Sequence, residues 1–281
     1  MMNDHSLAKL FDYADARVCF PNIHIDGGIC YFLWDKGYNG QVDYTYQDLI
    51  GYTCRSKRNL KTDFSDTVIR DSRQIEIIRK ASTIEKEKFS KIVSTRNPYG
   101  LFADLFNTPE KYPDIKWYEK ENEKTIKVYG VKGIKGGAKR LTGYINKDSV
   151  KKSIGLDKYK LLFGKAYMTT STTPPDIIIA KPNEACTETF LQIGPFNTEK
   201  ESENCLNFIK SKFYRALLFF NRSSLNISTE TFSLIPLQDF TNKSDIDWSK
   251  SVAGIDQQLY KKYNLTQEEI DFIEKSIKPM E

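Results

Sequence analysis

The sequence predicts an α+β fold, and three observations carry that expectation. Runs of strand length recur through the first two thirds of the chain, while amphipathic stretches with helical spacing stand apart from them. No internal repeat and no low-complexity linker divides the chain. Finally, 281 residues that are 40% hydrophobic and 13% aromatic suffice for a large buried core in one domain or two.

Residues 5–16, with Leu7, Leu10 and Phe11 apolar, read as the end of a helix or as an edge strand. Ile23 and Ile25 alternate with polar residues around His24, Gly27-Gly28 marks a tight turn, and residues 29–34 form a continuous apolar run. This pattern predicts a β-hairpin whose second strand is buried on both faces. Residues 1–50 cannot supply the covering layers, so the hairpin is expected to finish a sheet begun elsewhere. In that hairpin His24 is expected to be structural.

Asp71 or Ser72 caps a helix predicted over residues 72–93, stopped by Asn97-Pro98-Tyr99-Gly100. Residues 101–123 are irregular. Strands are expected over 125–131 and 140–145, with Gly133 to Gly137 as a flexible connector, and again over 159–163, 177–180 and 187–193. Thr198 with Glu201 is a capping box opening a helix to about residue 221, and Thr266 with Glu269 repeats the signal inside a closing helical pair.

The net charge of +5 conceals an asymmetry. Residues 124–165 hold 12 Lys and Arg against Asp148 and Asp157, a balance of +10, while the other 239 residues hold 30 basic and 35 acidic groups. A localised basic face is what phosphate contacts require, because each neutralised phosphate releases condensed counterions. The alternative is a solvated lysine surface. Five widely spaced cysteines argue for reduced thiols. No apolar run is long enough to span a bilayer, and the first residues have no secretory pattern, so a cytoplasmic protein is expected.

Catalytic signals are weak. Two histidines make a nucleophilic triad or a zinc site an unsupported reading. The glycines between Gly130 and Gly137 match no phosphate-binding loop, and a strand rather than a helix follows them. Asp114 and Lys116 offer an Asp-x-Lys fragment of a magnesium-dependent nuclease, but Pro113 interrupts the strand that should carry it. No catalytic residue and no metal ligand is therefore assigned. The DNA-binding candidates are Lys132, Lys135, Lys139, Arg140, Lys151 and Lys152, with Arg96, Lys165 and Tyr167 bordering the groove. Smaller basic clusters add Arg55, Lys57 and Arg58, and Lys212 and Arg215.

Several stretches resemble one family. Phe20-Pro21 with Ile25-Asp26-Gly27-Gly28-Ile29-Cys30-Tyr31-Phe32-Leu33-Trp34-Asp35 is similar to the last hairpin of the methyltransferase domain in bacterial type II and IIG restriction–modification adenine methyltransferases. The blocks Ser94-Thr95-Arg96-Asn97-Pro98-Tyr99-Gly100, Cys186-Thr187-Glu188-Thr189-Phe190 with Gly194-Pro195-Phe196, Pro236-Leu237-Gln238-Asp239-Phe240, and 259–274 resemble their carboxy-terminal half. The resemblance implies the end of an α/β methyltransferase-like sheet at 1–50, a mixed α/β target-recognition domain at 51–250 and a helical pair at 251–281. It implies double-stranded DNA and the missing methyltransferase half as partners, with no membrane. The cofactor loop and Asn-Pro-Pro-Tyr motif of that family are absent, so this chain is expected to have no catalysis and no cofactor of its own. S-adenosylmethionine is expected for the full-length protein. Two other classes stay open: a magnesium-dependent endonuclease, and a protein-interaction subunit whose lysines meet an acidic partner.

Overall fold

The computed structural model describes every residue except Met1, Asn3, His24, Asp26, Asp66, Ser223 and Glu281; the expected structural role of His24 lies outside the described residues. The fold is α+β, with three small sheets and five α-helices among the described residues.

The first sheet has the order β2-β1-β3-β4, built from β1 (Leu7–Tyr13), β2 (Ile29–Trp34), β3 (Val42–Gln47) and β4 (Thr53–Arg58). Strand β1 runs antiparallel to β2 and parallel to β3, so it is the centre of the sheet rather than an edge. The sheet continues past residue 50 through β4. Its core is modest: Leu7, Leu10, Val42, Tyr44, Tyr46, Cys54 and Leu60. Strand β2 overturns the expectation of burial on both faces. It is an edge strand that pairs with β1, and Tyr31 and Trp34 are about half exposed. A continuous apolar run is equally compatible with a strand sandwiched between layers and with an uncovered edge, and periodicity does not separate the two.

Helix α1 (Ile75–Ile84) is shorter than predicted, because Glu85 turns to extended backbone (φ −119°, ψ 113°). The chain then passes through a 3₁₀ turn at Phe89–Ile92. Residues 97–99 are therefore not a helix stop. Tyr99 is fully buried and its hydroxyl donates to Gln192 Oε1.

The second sheet has the order β10-β6-β7-β5, from β5 (Trp117–Tyr118), β6 (Thr125–Ile134), β7 (Gly137–Asn146) and, after two strands of the next sheet, β10 (Glu184–Cys186). The third, in the order β11-β8-β9, comprises β8 (Tyr159–Gly164), β9 (Ile178–Ala180) and β11 (Phe190–Phe196). Of the run predicted over 187–193, residues 190–193 begin β11, while 187–189 form the turn that separates it from β10. Alternation on β8 decides which layers meet. Leu161 and Phe163 enter a large aromatic core with Phe89, Phe208, Tyr214 and Trp248, whereas Leu162 enters a second core with Tyr99, Ile126, Val128 and Phe190.

The helix predicted from 198 to 221 is two helices. Thr198 caps α2 (Glu199–Lys210), and Ser211, extended at ψ 148°, breaks the run and caps α3 (Lys212–Phe220) through Tyr214 N (3.1 Å). The closing pair is α4 (Val252–Lys262) and α5 (Gln267–Ser276), the latter with the expected Thr266/Glu269 capping box. Ile255, Leu259, Tyr263 and Ile273 belong to the same core as Phe208, so the pair seals the large core. All five cysteines are unpaired, and no helix of the described residues is long and apolar enough to cross a membrane.

Candidate nucleic-acid interface

Strands β6 and β7 pair without interruption from Thr125↔Asn146 to Ile134↔Gly137, closing in a two-residue turn, Lys135-Gly136. Gly136 takes φ +85°, which glycine adopts without strain. The expected flexible connector is thus a tight hairpin. Neighbouring strands flank only its base: β10 pairs with residues 127–129 and β5 with 144–145. Beyond Val131 and Arg140, which face each other, the hairpin continues as a two-stranded ribbon with no further sheet partner among the described residues. Side chains of residues 106–117 clamp both the base and the start of the ribbon. Asn107 Oδ1 accepts from Gly133 N (2.8 Å), and the rings of Phe106 and Trp117 pack so closely on Gly130 and Gly143 that a Cβ there would lie 2.2 and 2.4 Å from them.

The ribbon carries Lys132, Lys135 and Lys139, all exposed, and Lys132 stands directly opposite Lys139. Like charges facing each other across a ladder repel, and a polyanion relieves that cost. At the foot of the ribbon lies a cavity of about 390 Å³ lined by Arg96, Arg140, Lys165, Glu188 and Phe190, among others. Three predicted cations, separated by as many as 69 positions in sequence, therefore converge on one space. Each arrives by a defined route. Arg96 follows Ser94, whose backbone N donates to Gln192 O of β11 (2.8 Å). Lys165 follows β8, its N bonded to Thr189 O (3.0 Å), and Arg140 projects from β7 with its guanidinium 5.9 Å from the centre of the buried Phe190 ring.

Glu188 is the carboxylate of this cavity lining. It accepts from Arg96 Nε (2.8 Å) and from Ala103 N (3.3 Å). Hydrogen bonding from Arg96 holds its carboxyl below the usual range. Burial, and then the charge of Arg96, push the Lys165 ammonium down. Glu188 lies outside the basic segment, so charge patterning does not reveal it; its one sequence signal is its place in the 186–190 block.

The other candidates divide. Lys151 and Lys152 are exposed beside the same loop as Arg96, since Lys151 N donates to Tyr99 O (2.9 Å). Arg55 and Lys57 lie exposed on β4, in a different sheet from the ribbon. Four further candidates are engaged within the protein. Arg215 is 2% exposed, its guanidinium donating to the carbonyls of Lys210 (3.0 Å) and Lys278 (2.7 Å). Lys212 is paired with Glu274. Arg58 covers the Tyr44 ring and donates to Ile69 O. The Tyr167 ring lies under the Arg222 guanidinium at 3.7 Å and packs on the large core. Within the basic segment itself, Lys160 is fully buried and Lys127 pairs with Glu184 at 3.5 Å. Asp114 and Lys116 are exposed in a loop, and the described residues contain no group of three His, Cys, Asp or Glu able to hold a metal.

No family model and no curated protein matches this sequence. Among solved structures, that of the type IIG restriction endonuclease BpuSI aligns with 98% of this chain at 11% identity and a TM-score of 0.34. The chain spans 44% of that protein's length. A likeness of this size establishes neither a shared family nor a shared function.

Proposed function

We propose that this chain is the double-stranded-DNA-binding, sequence-reading part of a restriction–modification adenine methyltransferase. The observation that carries the reading is the β6–β7 ribbon with Lys132, Lys135 and Lys139 along it. The major groove of B-DNA admits a two-stranded β-ribbon, and lysines at its edges would meet phosphates on both walls. Arg96, Arg140 and Lys165 at the foot, with Lys151 and Lys152 beside them, extend the cationic surface toward the flanking backbone. The sequence blocks at 20–35, 94–100, 186–196 and 259–274 support the family part of the reading.

The methyltransferase half is the proposed protein partner. In support, Tyr31, Phe32, Leu33 and Trp34 of the edge strand β2 are each about half exposed, and an apolar edge of that kind is normally covered or blunted. S-adenosylmethionine would bind that half, and no residue of this chain is assigned to it. A cytoplasmic setting belongs to the same proposal, in keeping with five unpaired thiols. The test is a gel-shift titration with the triple variant Lys135→Glu, Lys139→Glu, Arg140→Glu. Duplex binding should weaken strongly and lose much of its salt dependence; unchanged binding would remove the ribbon from the interface.

A further inference from the structure

We propose that Arg96, Arg140 and Lys165 form a preformed seat for one phosphoryl group, with Glu188 as its internal competitor, holding Arg96 until the anion replaces it. The inference rests on the DNA-binding reading only for its natural ligand, a backbone phosphodiester. The same chemistry would take free phosphate or the phosphate of a nucleotide.

The charge count inside the cavity points this way. Three cations line it, and Glu188 is the carboxylate among the lining residues. Asp176, the acid within ion-pair range of Arg140, is 4.0 Å away and fully exposed, so solvent weakens its pull. The lining therefore carries more positive than negative charge; burial first, and then the charge of Arg96, lower the Lys165 ammonium there. The Arg96–Glu188 pair is also of an exchangeable kind. Glu188 engages Arg96 through Nε at 2.8 Å, without the two-pronged contact that makes guanidinium–carboxylate pairs strong. Arg96 is moreover 76% exposed. A phosphoryl group offers more charge and more acceptor oxygens than a carboxylate, and can meet the guanidinium and the ammonium together. At about 390 Å³ the cavity accommodates a phosphate with its sugar but not a duplex. Phe190, Val131, Ala138 and Pro175 give it an apolar floor.

The experiment is calorimetric titration of the whole chain with inorganic phosphate against an ionic-strength-matched chloride blank, alongside anisotropy with a labelled duplex. Wild type should bind phosphate, and phosphate should displace the duplex beyond the effect of salt. Lys165→Met should weaken phosphate binding about tenfold, the loss of one charge-assisted hydrogen bond. Glu188→Gln, which keeps the acceptor for Ala103 N, should strengthen it. Arg140→Gln serves as a second weakening variant if Lys165→Met lowers the melting temperature. No phosphate binding, indifference to Lys165 and Arg140, or weaker binding in Glu188→Gln would each overturn the seat. Phosphate binding with this variant pattern but no duplex binding would keep the seat and remove the DNA reading. Duplex binding that depends on Lys135 and Lys139 without any phosphate binding would do the reverse.

Discussion

Lys160 has no solvent exposure, lies on the same face of β8 as Leu162, and donates to the carbonyls of Gly155, Leu156, Lys158 and Lys181 at 2.9–3.2 Å. It thereby ties the 155–158 turn to the start of the β9–β10 connection. Replacing it by Met removes the donor from four carbonyl acceptors, and a loss of about 1–3 kcal/mol is expected near neutral pH. Burial pushes the ammonium from 10.5 down to about 8. Between those values the unfolded chain binds the proton and the native chain does not, so stability from this group rises with pH across the window and falls as pH drops through about 8. The gap between wild type and Lys160→Met should therefore widen from pH 8 to 10.5 in urea denaturation; a narrowing gap would contradict the assignment. Lys160 and Arg215 also show what stayed illegible. A cation counts toward a surface only if it faces water, and these two turn inward to carbonyls both near in the chain, such as Leu156 and Lys210, and far from them, Lys181 and Lys278. The exposed Lys132, Lys135 and Lys139 were legible because a hairpin tip has nowhere to bury them.

Element boundaries failed where one residue overrode a continuing pattern. Ile209, Phe213 and Leu217 keep helical phase across residue 211, so the sequence reads as one helix. Ser211 nevertheless leaves the helix, with its Oγ accepting from Tyr214 N and donating to Phe208 O (2.7 Å). Asp256 adds acceptors for Lys212 N (3.0 Å) and Phe213 N (2.9 Å), so both helix ends are satisfied at a buried corner. Ser211→Ala should cost about 1–2 kcal/mol, read from the denaturation midpoint at unchanged m-value. A neutral effect would mean that Asp256 alone suffices. For the ribbon, the glycines at 130 and 143 are the element-scale test. Gly143→Ala sets a Cβ at 2.4 Å from the Trp117 ring. It should weaken duplex binding by displacing the ribbon, while variants at the tip leave stability near wild type.

At the scale of the molecule, two cores share β8, and the helical pair closes the larger one. The N-terminal sheet joins the segment that follows it through ion pairs, Arg70 with Asp12 and Arg73 with Asp48. The α+β class and the closing pair were legible, because composition and capping signals are local. The exposure of β2 was not, because the same apolar run suits a covered and an uncovered strand. Leu33→Lys with Trp34→Lys should leave the melting temperature nearly unchanged, since both side chains are already half exposed, and should abolish co-purification with a methyltransferase half supplied in trans. A large loss of stability instead would give β2 a structural role in this chain.

In the proposed function, the cations of the ribbon and its foot meet the phosphates of a DNA duplex. The most direct measurement is the affinity of the wild-type chain for a labelled duplex across a salt series. Log K should fall linearly with log salt concentration, with a slope shallower by about one for each of Lys132, Lys135 and Lys139 changed to Gln. A salt-independent affinity, or a slope indifferent to all three substitutions, would contradict it.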